Sequence, residues 1–511
     1  MALARNIATV GAGTLMSRLL AYVRDAGIAA LLGATAFSDG LFAVMQVINF
    51  FRRLLAEGAL NGAFVPIWLK LREGEDGEAN ADRFTRSTLL AMFCIASILA
   101  LAVYLLSPLL IAGVAPGFDE GRQAIAEILL RIAAPYVLLA GMTAVIASAL
   151  NAERRVIAVT ISTAMFNVVM VVAVAMAFDD QLASFEKSLV LALAITVAAL
   201  VQLCITGITW LMTGKRWRRA NVYALAETAA FFRRVAPGLI AAGIPQLKLI
   251  AATAIVSSSE AAVTWLYYAN RLYELPLGVA SIAIAAVIVP HLAASRHAGD
   301  APGEAQSRAY EIALGLALPA AAGFALLATP IAAALFERGV FRAEDTAAVA
   351  AALTAICAGL PGHVLEKVFA AVSFAHEDTH TPMLSGCCGL ATAIVGGLLL
   401  FPHFGYVGAA AAIAVSAWVG AVLLGLILLR RAWLQLDALA EQRLPRIVLA
   451  CVVMSAVIIV AAGTLFPAAA VTSGDYTALF ALVALGITVY ALSLRVLGVA
   501  KLTDLLAALR G

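Results

Sequence analysis

Apolar runs recur from one end of the chain to the other, and this feature limits the folds open to it. Of its 511 residues, 63% are hydrophobic and only 13% are charged, a balance that soluble globular proteins do not have. A helix of about 20 apolar residues crosses a bilayer and satisfies its own backbone hydrogen bonds there. The sequence therefore predicts an all-α, polytopic membrane protein with about fourteen transmembrane helices.

The basic residues are distributed unequally between the connectors of these helices. On the side of the N-terminus lie 22 of the 34 Lys and Arg residues. The opposite side carries only Arg122, Lys187, Arg338 and Arg342. Because cytoplasmic connectors are enriched in Lys and Arg, we expect both termini in the cytoplasm, which requires an even number of spans.

A faint internal repeat divides the chain. The pair Val65-Pro66 recurs as Val289-Pro290, and Ala152-Glu153 recurs as His376-Glu377, each 224 residues later. Chance matching of prolines is the alternative explanation. Six spans separate the copies, so the copies share an orientation, as in transporters built from parallel repeats. The predicted parts are a six-helix lobe at 1–220, a second six-helix lobe at 221–435, and two additional helices at 436–511.

Five arginines lie inside apolar stretches: Arg18, Arg24, Arg52, Arg53 and Arg271. A charged residue at the centre of a membrane helix costs about 2.5–3.5 kcal/mol on insertion scales, and such residues usually face a water-filled cavity or a ligand. We interpret Arg18, Arg24, Arg52 and Arg271 as the lining of a cationic chamber for an anionic substrate. The alternative for each is a structural ion pair or a side chain that reaches the membrane surface.

Neighbouring charges offer partners for some of these arginines. Arg24 adjoins Asp25, and the two could neutralise each other. Arg53 and Glu57 are four residues apart and could pair on one helix face, which would leave Arg52 for the substrate. The remaining secondary candidates are Asp39, Lys248 and Glu274.

Other motifs give no catalytic or metal site. His376–His380 reads HEDTH and matches the zinc-protease pattern H-E-x-x-H. That pattern needs a helix and a third ligand, whereas here it lies in a short turn followed by Thr381-Pro382. The six cysteines lie in apolar segments without CxxC spacing, and no phosphate-binding loop is present. The first apolar run is interrupted by charges, so we expect no cleavable signal peptide.

Several segments together resemble the MurJ (MviN) family, which belongs to a superfamily of multidrug and polysaccharide-lipid exporters. The resemblance covers essentially the whole chain. It is carried by ATVGAGTLMSRLLAYVRDAGIAALLGATAFSDGLFAV, NFFRRLLAEGALNGAFVP, YYANRLYELPLGV and HEDTHTP. The serine–arginine pair with arginine–aspartate six residues later, followed by RRLLAEGA, is not a general transporter pattern.

The resemblance implies a lipid II flippase in the bacterial cytoplasmic membrane, a transporter and not an enzyme. Lipid II is an undecaprenyl-pyrophosphate disaccharide-pentapeptide. The family's cavity arginines match Arg18, Arg24, Arg52 and Arg271, and a groove along the last two helices is proposed to take the lipid tail. Asn270 departs from the family, which commonly has Asp there. We expect no cofactor, no metal and no nucleic acid partner, a monomer, and contacts with membrane lipids and with other cell-wall synthesis proteins.

Some family members have a sodium site linking spans 7, 11 and 12, but span 7 here carries Gln246 and Lys248, so we do not expect one. Three alternative functions stay open at this point. A flippase for another polyprenyl-pyrophosphate glycan would share the same chemistry. An ion-coupled drug antiporter of the superfamily would favour acidic residues in its cavity, and an intramembrane zinc protease would rest on HEDTH alone.

Overall fold

The computed structural model describes residues 2–56, 59–73, 76–179, 181–213, 225–284, 302–435, 437–465 and 476–499. Within these ranges every regular element is a helix, which confirms the all-α class. The helices are α1 (Ala2–Leu32), α2 (Ala36–Ala56), α3 (Ala59–Arg72), α4 (Gly77–Leu105), α5 (Ser107–Val114), α6 (Glu120–Ala133), α7 (Pro135–Ala152), α8 (Val156–Ala177), α9 (Ser184–Leu211), α10 (Leu225–Val256), α11 (Ala262–Ala283), α12 (Pro302–Leu326), α13 (Ala328–Phe336), α14 (Ala343–Cys357), α15 (Leu360–Ala375), α16 (His380–Arg430), α17 (Ala438–Leu465) and α18 (Tyr476–Val496).

Helix breaks occur where proline and glycine predict them. Pro135 lies in the first turn of α7 and Pro361 in the first turn of α15, where the missing N–H would have no partner in the helix. Inside α16, Gly405 has φ 56° and ψ −143°, a conformation that glycine adopts without a steric penalty. The 51 residues of α16 are therefore two helices joined at Gly405.

Many of the helices can span a membrane. Among the described residues, nine helical segments are long and apolar enough to do so. The helices α14 and α15 meet at a bend of 41° and make a tenth segment if they form one span. The prediction of a multi-pass membrane protein is confirmed, whereas the count of fourteen spans stays a prediction.

The order of the helices repeats along the chain, in agreement with the sequence repeat. Four consecutive helices have counterparts at an offset of 221 to 225 residues: Ser107 and Ala328 begin α5 and α13, Glu120 and Ala343 begin α6 and α14, Pro135 and Leu360 begin α7 and α15, and Val156 and His380 begin α8 and α16. In both copies a short helix (α5 or α13) follows a long one (α4 or α12). Two helices separated by a break, α6 and α7 or α14 and α15, come next, and each two are called the broken pair below.

The turn after the broken pair has the same conformation in both copies. Arg154 has φ 62° and Glu377 has φ 61°, so both adopt the left-handed region. The next amide donates back to a carbonyl in the last turn of the helix, Arg155 N to Leu150 O at 2.8 Å and Asp378 N to Ser373 O at 3.0 Å. This pairing is typical of a helix C-terminus that ends in a Schellman motif. The two turns therefore share a conformation at an offset of 223 residues, one fewer than the 224 that pairs Ala152-Glu153 with His376-Glu377.

The chain forms two compact units. The first contains Met1–Thr264 and the short segment Gly339–Phe341; in it α1 packs on α8, and α8 packs on α9. The second contains Trp265–Arg338 and Arg342–Gly511; in it α15 packs on α16. The predicted boundary between residues 220 and 221 lies outside the described residues, and the division into 1–220, 221–435 and 436–511 stays a prediction.

The last two helices belong to the second unit and pack on α12. Met454 and Ile458 of α17 form an apolar cluster with Leu482 of α18 and with Leu327, which follows α12. The hydroxyl of Tyr490 donates to the carbonyl of Gly315 in α12 at 2.8 Å, which satisfies a polar group inside an apolar contact. Large apolar side chains such as Phe480, Ile487 and Leu492 remain exposed on α18.

Candidate functional site

Arg18 lies in the middle of α1, among apolar neighbours. Leu15, Met16 and Leu19 around it are exposed, so no described helix covers these side chains. The Arg18 side chain is half-buried. Among the described residues, its guanidinium has no hydrogen bond or ion pair, so it can receive an anionic ligand without first losing a protein partner.

Arg24 is held differently, in a buried network of the first unit. Its Nε and Nη2 donate to Oδ1 of Asp25 at 2.8 and 2.6 Å, and its Nη1 donates to Oδ1 of Asn167 at 3.1 Å. The Asn167 amide in turn donates to the Ser17 carbonyl at 3.0 Å. Arg24 is only 6% exposed and Asp25 is fully buried. The neutralising pair that the sequence allowed therefore forms, and it ties α1 to α8.

Arg52 and Arg53 lie on α2, and both are half-buried. The Nε of Arg52 donates to the side-chain oxygen of Asn49 at 3.2 Å, one turn earlier. The predicted pair of Arg53 with Glu57 lies outside the described residues, because Glu57 is not among them.

Arg271 lies on α11 in the second unit. Its Nη1 is 3.2 Å from Oε2 of Glu274, three residues further along the same helix face. The two side chains are 24% and 33% exposed. This ion pair is therefore partly exposed, unlike the buried pair of Arg24 and Asp25.

Span 7 of the prediction corresponds to α10, where Lys248 is half-buried. Two residues earlier, the buried amide of Gln246 donates to Oε1 of Gln46 on α2 at 2.7 Å. This amide pair lies inside the first unit and fixes α10 against α2. Gln246 therefore contributes to the packing of these two helices.

Asp39, a secondary candidate, accepts several hydrogen bonds from the start of α11. The carboxylate is fully buried and accepts the backbone N–H of Ala261 at 2.9 Å, the N–H of Thr264 at 3.0 Å and the Thr264 hydroxyl at 2.7 Å. Ala261 and Thr264 flank the start of α11, whose unpaired N–H groups attract a negative charge. Asp39 thus connects the start of α2 to the start of α11.

Arg122 is one of the few basic residues predicted on the side of the membrane opposite the N-terminus, and it lies next to Asp39. Its Nη1 lies 3.6 Å from Asp39 and donates to the Ser257 carbonyl at 3.1 Å. Its Nε also donates to the exposed Asp119 at 2.5 Å, and this hydrogen bond lowers the pKa of the Asp119 carboxyl. The guanidinium stacks on Phe118, 4.8 Å from the ring centre. These contacts bind the connector before α6 to the connector before α11.

The HEDTH segment forms the turn between α15 and α16. The His376 ring stacks on Trp433 at 4.2 Å, and its Nδ1 is 2.9 Å from the Val372 carbonyl. Asp378 accepts the N–H groups of His380 and Thr381, both at 3.0 Å, and pairs with Arg431. These hydrogen bonds hold the pKa of Asp378 well below its usual range, at about 2, with the Thr381 hydroxyl as the main cause and Arg431 as a further one. In the described part of the chain, no three potential ligands come together to hold a metal ion.

The candidate arginines therefore divide into groups with different partners. Arg24 is tied to Asp25, Arg271 is paired with Glu274, and Arg52 contacts an amide. Sequence reasoning missed Asn167 and Thr264, because each meets its partner across more than a hundred residues of chain. A common chamber lined by Arg18, Arg24, Arg52 and Arg271 stays a prediction.

Comparison with known proteins gives a consistent result. The family model described as lipid II flippase MurJ matches residues 28–499. A probable lipid II flippase MurJ from Rhizobium meliloti is 36% identical over 504 residues, covering 96% of this chain and 93% of the relative. The corresponding protein from Rhizobium tropici is 34% identical and covers 90% of this chain and 87% of its own length.

Solved structures share the fold. A structure titled lipid II flippase MurJ, inward closed conformation, matches with a TM-score of 0.79 at 20% identity and covers 95% of this chain and 97% of the other. An inward-facing multidrug-resistance transporter of the MATE family matches with a TM-score of 0.62 at 13% identity, covering 81% of this chain and 94% of the other. The helical arrangement is thus shared with both of these solved structures.

Proposed function

The chain belongs to the MurJ family, and we propose that it moves lipid II from the inner to the outer leaflet of the bacterial cytoplasmic membrane by alternating access. It is a transporter and not an enzyme. The large polar head of the substrate must cross about 30 Å of hydrocarbon that its prenyl tail never leaves. Protein groups must therefore replace water around the charged pyrophosphate during the passage.

The observation that carries the proposal is the state of Arg18. This arginine is half-buried in the middle of an apolar helix and has no hydrogen bond or ion pair among the described residues. A cation at such a position needs an anion or water. A pyrophosphate supplies two adjacent anionic groups, and a guanidinium binds such oxygens through two parallel hydrogen bonds.

The other arginines take different parts in this proposal. Arg271 releases Glu274 and binds the pyrophosphate in its place, because their ion pair is partly exposed. Arg52 adds a further charge-assisted donor from α2. Arg24, which is closed off by Asp25 and Asn167, contributes positive potential and fixes the position of Arg18 by tying α1 to α8.

The proposal also covers the ligands, the topology, the oligomeric state and the protein partners. The ligands are lipid II and membrane lipids, with the lipid tail along α17 and α18, and both termini lie in the cytoplasm. The protein works as a monomer and can meet other cell-wall synthesis proteins at the membrane. Size-exclusion chromatography with light scattering in detergent tests the monomer, and a mass of two chains would contradict it.

Substitution of the open arginines tests the role in binding. In a flippase-depleted cell, Arg18→Ala or Arg271→Ala should abolish complementation at near-normal protein levels, because the desolvated pyrophosphate loses its partner. Arg18→Lys should restore activity only in part, since an ammonium group cannot form the two parallel hydrogen bonds of a guanidinium.

Arg83→Ala provides the control for these variants. Arg83 is an exposed arginine of α4 outside the candidate site, so the same loss of charge there should leave complementation intact. Full activity of both Arg18→Ala and Arg271→Ala would contradict the binding role. Loss of activity in Arg83→Ala would show that complementation responds to net charge and not to the site.

A further inference from the structure

Asn167 of α8 contacts α1 on both sides of Arg18, within the first unit. Its side chain is 8% exposed. The Nδ2 of Asn167 donates to the carbonyl of Ser17 at 3.0 Å and to the Ser17 hydroxyl at 3.2 Å. The Oδ1 accepts a hydrogen bond from Nη1 of Arg24 at 3.1 Å. Because Ser17 directly precedes Arg18, one buried amide joins α8 to the segment of α1 that carries the proposed substrate arginine.

The same two helices approach each other closely at two further points. A Cβ at Gly13 of α1 would lie 2.4 Å from Cγ2 of Thr160 on α8, and a Cβ at Gly27 would lie 2.6 Å from Cγ1 of Val174. The residue numbers rise together, from 13 to 27 in α1 and from 160 to 174 in α8, so the two helices are parallel. Asn167 lies midway between the two α8 contacts, seven residues from each, which is the spacing of a heptad repeat in a parallel helix pair.

Asn167 is the part of α8 that can specify the register of this contact. It is the only residue of α8 with an amide or a charged group. The hydroxyls of Thr160 and Thr163 donate to carbonyls of α8 itself, and the hydroxyl of Ser162 donates to Gln202 on α9. Apolar burial has no direction, whereas a single asparagine in an apolar helix–helix contact specifies the register. The glycine contacts therefore set how closely the helices approach, and Asn167 sets how they are aligned.

The register of α1 on α8 determines the axial position of Arg18. Successive turns of a helix are about 5.4 Å apart, so a slip of α1 by one turn moves Arg18 by about that distance. Charge-assisted hydrogen bonds to phosphate oxygens need a separation of about 2.7–2.9 Å, so such a slip would break them. The ion pair of Arg24 and Asp25 does not prevent the slip, because both residues belong to α1.

We propose that Asn167 is a positioning residue for the transport of lipid II. It fixes the register of α1 on α8 and thereby holds Arg18 where its guanidinium binds the substrate pyrophosphate. The two ends of the amide have different parts: Nδ2 fixes the main chain next to Arg18, and Oδ1 satisfies the buried Arg24. This inference rests on the proposed lipid II flippase activity.

The experiment measures the initial rate of lipid II movement in liposomes against the mole fraction of lipid II, which gives KM and kcat. Asn167→Ala should raise KM by about 10- to 100-fold at a kcat near that of the wild type, since a misplacement of about 1 Å costs up to about 100-fold. A merely structural role would lower the amount of active protein, and so the apparent kcat, at an unchanged KM. An unchanged KM in this variant would overturn the inference, whereas a wild-type protein that moves no lipid II contradicts the proposed function itself.

Asn167→Asp tests the donating end of the amide alone, and it decides if Asn167→Ala does not fold. A carboxylate still accepts the hydrogen bond of Arg24 but cannot donate to the carbonyl of Ser17. The KM of this variant should therefore rise as in the alanine variant. A wild-type KM would show that the contact with Ser17 has no part in positioning Arg18, and the inference would be wrong.

Gln202→Ala is the matched control, because it removes the same kind of hydrogen bond from the same helix. The Nε2 of Gln202 on α9 donates to the carbonyl of Ser162 on α8 at 3.2 Å. This amide contacts neither α1 nor an arginine among its printed partners, so its loss should leave KM unchanged even if the protein becomes less stable. A rise in KM as large as that of Asn167→Ala would show that any lost contact of α8 weakens binding, which would overturn the assignment to Asn167.

Discussion

At the scale of single residues, the arginines of this chain show that a cation inside a membrane helix can have different environments. Arg24 is closed in a buried ion pair with Asp25, whereas Arg271 is paired with Glu274 in a partly exposed position. Arg18 has neither kind of partner among the described residues. All three lie in apolar stretches of the sequence, and the partners that the structure shows separate an arginine closed in an ion pair from one that can bind a ligand.

The first prediction separates these two kinds of arginine. Arg24→Ala should destabilise the protein by about 3–5 kcal/mol, because it leaves the fully buried Asp25 carboxylate without its cation. Arg18→Ala should leave the stability nearly unchanged. Thermal denaturation of the purified variants in detergent measures both effects. The double variant Arg24→Ala with Asp25→Ala should regain most of the loss, and equal stability of the two single variants would refute the distinction.

At the scale of helices, the repeated break between two helix halves is the most regular feature. The junction of α6 and α7 in the first unit and that of α14 and α15 in the second are each followed by a proline in the next first turn. In the second unit, close packing fixes the break. Gly359 admits the backbone of Ala414 to a distance that no larger residue allows.

The second prediction concerns this close approach. Gly359→Ala should destabilise the protein by about 1–3 kcal/mol, because its Cβ would lie 2.5 Å from Cα of Ala414 and the helices must separate. Gly323→Ala in α12 is the control, since no atom lies within 4 Å of a Cβ there, and alanine favours a helix by about 1 kcal/mol. Denaturation midpoints of the two variants should therefore move in opposite directions. A shift of both in the same direction would show that the close contact is not the cause.

The third prediction concerns the turn between α15 and α16. The pKa of Asp378 is about 2, below the ordinary value of 3.8, because the carboxylate is held by Thr381 and Arg431. A lowered pKa stabilises the fold above the unfolded value, so this contribution should be lost as the pH falls from about 4 to about 2. Trp433, stacked on His376 and contacted by Arg431, reports the change through its fluorescence.

Asp378→Asn is the control for this titration. The amide cannot bind Arg431 as a carboxylate does, so the fluorescence of the variant should resemble the acidic state already at neutral pH. Its fluorescence should also stay constant between pH 4 and pH 2. A transition of the same size in the variant and in the wild type would assign the titration to another group.

At the scale of the whole molecule, the amino-acid sequence predicts the membrane class, the helical fold, the family and the repeat, because apolar runs and proline positions are local signals. The ion pair of Arg24 and Asp25 is also local, since the two residues are adjacent. The contacts of Asp39 with Thr264 and of Tyr273 with His363 join residues 225 and 90 positions apart. No local pattern contains such information, so the partners of buried polar groups had to be read from the structure.

The fourth prediction concerns topology, which follows from the distribution of Lys and Arg. Reporter fusions at residues 75 and 511 should behave as cytoplasmic, and a fusion at residue 118 should behave as external. The fusion at residue 118 serves as the internal control for a reporter that is active outside. An external C-terminus would require an odd number of spans and would contradict both the topology and the repeat of two lobes.

The central claim is that this chain carries lipid II across the cytoplasmic membrane. The most direct measurement depletes the host of its own flippase, expresses this chain, and quantifies the lipid II that an external probe can reach. We expect the exposure of lipid II to fall on depletion, to return to normal with the wild-type chain, and not to return with Arg18→Ala. If the exposure of lipid II stays low when the wild-type chain is present in the membrane, the chain is not a lipid II flippase.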